Sequence, residues 1–207
     1  MSTDELDRAQ IAKGLSHIAG HLVEIAEIID KELCKAVTGE CESDWLTDRD
    51  KVTKAFQRIS PKHSISNRLP ANEVGLVALE ALSSLVKIGG AYQRIFFMLD
   101  MLRDVDFGAV FMDSLSSISR KVYESVVALK NMADAFPENP NALTEGREII
   151  SRLERQVDEE HIIICRQISV ATEGHPDYVV YLMRKIVGEL EHITDNLQDF
   201  AETVEGF

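Results

Sequence analysis

Glu154 and Asp158 stand four residues apart, as do Glu191 and Asp195, and Asp199 follows one turn after the second pair. Residues at i and i+4 are neighbours on an α-helix, so each pair stacks two carboxylates that repel at neutral pH. A basic side chain, a bound divalent cation or solvent with salt would relieve that repulsion. Carboxylates are hard oxygen donors, which suit Mg, Ca, Mn or Fe rather than metals held by thiolates. The bland alternative is a solvated acidic face. With 35 acids in 207 residues, chance alone supplies roughly six such pairs.

Other groups carry less. Asp158-x-x-His161 and Glu189-x-x-His192 resemble the carboxylate-x-x-His pairs of ferritin-like di-iron bundles, with Glu24 and Glu124 as the inward glutamates that such a site also needs. His17, His21 and Glu24 share a helical face, an arrangement that more often packs and hydrogen-bonds than binds metal. Cys165 near His161 lacks a third orienting group and reads as structural. The sequence contains no Walker loop, GxGxxG turn, GxSxG elbow or HExxH helix, and the expectation is a protein that is not an enzyme.

The acidic pairs need long helices to position them. Pro61, Pro70, Pro137, Pro140 and Pro176 all fall at breaks, and between them apolar residues recur with helical period. Helices are expected near 3–38, 47–59, 72–103, 110–135, 142–172 and 176–204, in an all-α fold. Asn72 and Asn141 are expected as N-caps, Pro176 near a first helical position, and Gly39 and Gly174 as stops. Gly89-Gly90 marks a bend or a close helix crossing, with a local kink expected there, and Trp45 is expected to anchor the second helix.

In the fifth helix, Ile150, Leu153, Val157, Ile164 and Ile168 form an apolar stripe, with Glu154, Asp158, His161 and Cys165 along its edge. In the sixth, Leu182, Ile186, Leu190, Ile193, Leu197, Phe200 and Val204 form the stripe. Glu191, Asp195, Asp199 and Glu202 are expected on the opposite, outward face, where no Lys or Arg after Lys185 neutralises them.

The formal charge is −13, and from Phe107 onward 18 acids stand against 9 bases. This argues against nucleic-acid backbones and anionic lipid and for cations or basic partners. Cys34, Cys41 and Cys165 lack C-x-x-C spacing, the N-terminus lacks signal-peptide character, and no apolar run is read as long enough to insert in a membrane. Reduced thiols in a cytoplasmic protein are expected.

The segments VYESVVALKNM, IISRLERQVDEEH and RKIVGELEHITDNLQDFAETVE resemble the last three helices of the PhoU-like family, and more closely its phosphate-transport accessory branch, often paired with the Pit transporter. The resemblance covers about Ser119 to Glu205, with support in VALEALSSLVKIGGAYQRI. It implies one domain over 1–207 made of two antiparallel three-helix bundles, a divergent repeat at 1–106 and a second at 107–207. It further implies a regulator or accessory protein that contacts an inorganic phosphate transporter or phosphate-signalling partner at the inner membrane without inserting. A divalent metal ion is implied at Glu154, Asp158, Glu191 and Asp195, with Asp199 as a further ligand. Where the family carries acids in the third helix of its first repeat, this chain has Leu82, Ser83, Val86 and Lys87; Asp44-x-x-x-Asp48 keeps the spacing nearby. A homo-oligomer is among the expected assemblies, and a ferritin-like di-iron protein and a structural helical adaptor remain the open alternatives.

Overall fold

Asp7, Asn72, Asn139 and Asp177 each accept a hydrogen bond through a side-chain oxygen from the backbone N–H three residues ahead, at 2.8–3.3 Å. Each satisfies a donor that the first helical turn leaves without a partner, and a helix follows each of them. The computed structural model describes residues 5–38, 45–59, 65–102, 109–136, 139–173 and 177–205. These form α1 (Arg8–Thr38), α2 (Trp45–Ile59), α3 (Ile65–Arg68), α4 (Glu73–Met101), α5 (Ala109–Ala135), α6 (Pro140–Ala171) and α7 (Tyr178–Glu205), an all-α bundle.

The six expected helices are present, and α3 adds a single turn that sequence periodicity is too short to show. Two details differ from expectation. The cap of α6 is Asn139, because Pro140 occupies the first turn where its missing N–H has no function; Asn141 is already helical. α1 begins at Arg8 rather than Thr3, where Asp7 and Gln10 exchange side-chain and backbone hydrogen bonds in a capping box. The left-handed residue that ends α6 is Glu173, with φ 48°. Thr3, Gly39, Cys41, Asp44, Pro61, His63, Pro137, Gly174, His175, Pro176 and the side chain of Trp45 lie outside the described residues.

Paired residues give the helix directions. Ser16–Asp134, Asp30–Arg120 and Cys34–Ser116 run in opposite senses along α1 and α5. Ser114–Gln167 and Lys121–Glu160 do so for α5 and α6, Ser151–Gln198 and His161–Glu191 for α6 and α7, and Arg94–Glu189 and Met101–Tyr178 for α4 and α7. The helices α1, α2 and α4 pack on one another, as do α5, α6 and α7. Long seams of α1 on α5 and α4 on α7 then join the two sets. The core is one continuous hydrophobic cluster through both, including Leu22, Ile25, Leu85, Ile88, Leu129, Val157, Leu190 and Phe200.

Gly89 serves a close helix crossing, whereas the local kink expected at Gly89-Gly90 does not interrupt α4, a single helix from Glu73 to Met101. A Cβ on Gly89 would come 3.3 Å from Ile59 and 3.7 Å from Leu22, so glycine lets α4 approach α1 and α2. α4 is also more apolar than the sequence reading allowed. Among the described helices it is long and apolar enough to cross a membrane by composition, with half of that stretch buried in the bundle.

Candidate functional site

α6 buries Leu143, Gly146, Ile150, Leu153, Val157, Ile164 and Ile168, the predicted stripe with two additions near its start. α7 buries the whole predicted stripe and also Met183, Val187, Thr194 and Ala201. The wider burial has a plain cause: α7 packs against α4, α5 and α6 together. Its inward arc is therefore broader than one stripe, and Glu191 and Asp195 come to the border with α6 instead of the outer face. Polar clamps fix the α6–α7 register on one side of them, with Ser151 donating to Gln198 at 2.7 Å and Arg147 paired with Glu205 at 2.8 Å.

Between these clamps and His161, one carboxylate oxygen each from Glu154, Asp158 and Asp195 lies within 4.8 Å of the others. A second group, Glu191, His192 and Asp195, converges to the same distance and shares Asp195. His161 Nδ1 stands 3.9 Å from Glu191, and His192 Nδ1 stands 3.7 Å from both Glu191 and Asp195. The structure thus unites two pairs that the sequence reading had placed in different settings. Asp199, one turn beyond Asp195, is exposed and belongs to neither group, because a further 40° of rotation carries it away from α6. Asp195 as the shared residue was missed. The available signal was that Glu191, Asp195 and Gln198 all fall on one flank of the α7 stripe.

The electrostatics follow from this crowding. The Glu154 carboxyl is pushed above the usual range first by burial, then by Asp158 and Asp195, with Arg155 opposing. Glu191 is pushed the same way by burial and then Asp195, with His161 and His192 opposing. Among the described residues no Lys or Arg forms an ion pair with Glu154, Asp158 or Asp195. Cys165 lies on the same edge of α6, and burial raises its thiol, so it holds the inert protonated form.

The di-iron template is not assembled. Glu189 is held by Arg94 through two hydrogen bonds of 2.8 Å, Glu124 and His192 are exposed, and Glu24 points to His21 at 3.3 Å. His21 in turn contacts His17 through the Nε2 atoms at 3.3 Å, the packed histidine pair that was expected. Neither a family model, nor a curated protein, nor a solved structure matches the chain.

The first half offers no counterpart on α4. Leu82 is buried, Ser83, Val86 and Lys87 are exposed, and none bears an acid. Asp48 on α2 is buried and paired with Lys51 of its own helix at 2.9 Å. The acidic site is one-sided among the described residues. Its donors are carboxylate oxygens with an imidazole alongside, a set that fits a hard divalent cation.

Proposed function

We propose that this protein is a PhoU-like accessory or regulator of inorganic phosphate transport, acting by protein contact, with a divalent cation bound across α6 and α7. The observation that carries the site is the convergence of Glu154, Asp158 and Asp195 within 4.8 Å with no Lys or Arg ion pair to any of them among the described residues. Glu154 and Asp158 would hold the ion from α6 and Asp195 from α7, with Glu191 and His161 beside them. A bound cation would offset the mutual repulsion and tie the two helices together. The transport role rests on the resemblance of the α5 to α7 sequence and on the six long helices in their two mutually packed sets.

Labelled phosphate uptake tests the transport role. Cells lacking the chain are compared with cells carrying the wild type or the double variant Glu154→Gln with Asp158→Asn. Loss of the chain is expected to change uptake, and the double variant to fail to restore it. Uptake indifferent to the chain would overturn the transport reading. Elemental analysis of the purified proteins tests the metal separately, since unchanged metal stoichiometry in the double variant would remove the site.

A further inference from the structure

α4 has two apolar faces. One is filled inside the bundle by Ala78, Leu85, Ile88, Tyr92 and Ile95. The other carries Leu76, Leu79, Val86, Phe97 and Met101 in solvent, from 38% exposed at Val86 to 65% at Leu76. With Ser83 and Gly90 they follow a heptad-like spacing and fall within about 80° of arc at 100° per residue. Tyr178 of α7, also exposed, widens the patch at its Met101 end, where its hydroxyl reaches Met101 Sδ at 3.6 Å. A row of exposed apolar side chains of this kind marks an interaction site.

We propose that this face joins two copies of the chain, with α4 packed antiparallel on α4 of the second copy. The charges beside the stripe select this occupant. Glu80, Lys87 and Arg94 line one edge at seven-residue intervals. A two-fold axis crossing α4 near Lys87 keeps that edge on the same side in both copies and reverses its order, so each Glu80 meets the other copy's Arg94. Arg94 uses Nε and Nη2 for Glu189, while Nη1 lies over the stripe, 3.4 Å from where a Cβ of Gly90 would be. Small Ser83 and Gly90 sit close to the axis and permit a close helix approach. Leu76 and Leu79 of each copy then face Phe97 and Met101 of the other. Lys87 falls at the axis, where its long stem carries the charge to solvent. A parallel pairing would set the charged edge against the inner flank of the partner helix and forfeit the match.

The stretch from Leu76 to Met101 is about 38 Å long and, at the roughly 10–12 Å width of one helix, offers on the order of 400 Å² per copy, the size of a small, reversible interface. This inference is independent of the phosphate and metal readings.

Sedimentation equilibrium of the full chain tests it. The wild type should weigh twice the 23.2 kDa chain. Val86→Glu with Phe97→Glu should give the single-chain mass with an unchanged helical circular dichroism spectrum. Glu80→Arg, a single change at an exposed position, should weaken the dimer about tenfold or more, which covers the case in which the double variant folds poorly. A wild type of single-chain mass at 0.1 mM, on the order of the highest useful concentration for a dimer of this size, would overturn the proposal. So would such a monomer that floats with neutral phosphatidylcholine vesicles, which would assign the face to lipid. A dimer equally tight in all variants would overturn it as well.

Discussion

Asp195 is the carboxylate that both groups of ligand atoms use, whereas Asp199, on the same helix and of the same chemistry, faces away from α6. Asp195→Asn should weaken divalent-cation affinity at least tenfold in isothermal titration, a loss of about 1.4 kcal/mol or more, and Asp199→Asn should match the wild type. Equal effects would show that general negative charge, not the site, attracts the cation. The raised Glu154 carboxyl has a consequence for stability whose sign can be worked out. The native state retains a proton that the unfolded chain has already released, so the favourable contribution is full below the ordinary carboxylate range and is lost as pH rises through the raised value. In chelator-treated protein, Glu154→Gln should therefore melt about 1–3 °C above the wild type at pH 7, from like-charge terms of a few tenths of a kcal/mol each. That gap should close below about pH 4; a gap independent of pH would contradict the assignment. Cys165 should alkylate more slowly than a free thiol at neutral pH, since burial keeps it protonated.

At the scale of the helix, close approach and termination are decided by single residues. A Cβ on Gly146 would lie 2.1 Å from Met132 Cγ across the α5–α6 interface, so Gly146→Ala should lower stability by roughly 1–3 kcal/mol through displaced packing. Differential scanning calorimetry should show the melting point falling by several degrees; a rise would mean that Met132 yields freely. Glu173 ends α6 in the left-handed region, where a Cβ is strained, so Glu173→Gly should stabilise by about 0.5–1 kcal/mol in urea unfolding. The six longer helices, the stripes of α6 and α7 and the cap at Asn72 were legible because each rests on contacts within a few residues. The direction of Glu191 and Asp195 was not, because it depends on how many neighbours α7 has. The outward apolar face of α4 stayed hidden for the same reason: composition cannot tell one apolar face from two.

At the scale of the molecule, the halves depend on one another. Asp30, only 3% exposed, is paired with Arg120 across α1 and α5 at 3.1 Å, and burial first, then the Asp30 charge, raises the Tyr92 hydroxyl on α4. Arg120→Ala leaves a buried carboxylate without its cation and should lower stability by about 1–3 kcal/mol, less than for a fully buried pair because Arg120 is half in solvent. Adding Asp30→Asn should recover part of that loss in urea unfolding. No recovery would show that Arg120 acts through packing alone. The long seams of α1 on α5 and α4 on α7 mean that a polypeptide cut between Met101 and Ala109 should yield two fragments that are each insoluble or molten. Mixed from denaturant, they should recover the melting transition of the intact chain. The protein would then serve as a split reporter, whose reassembly reads out the proximity of whatever is fused to the two pieces.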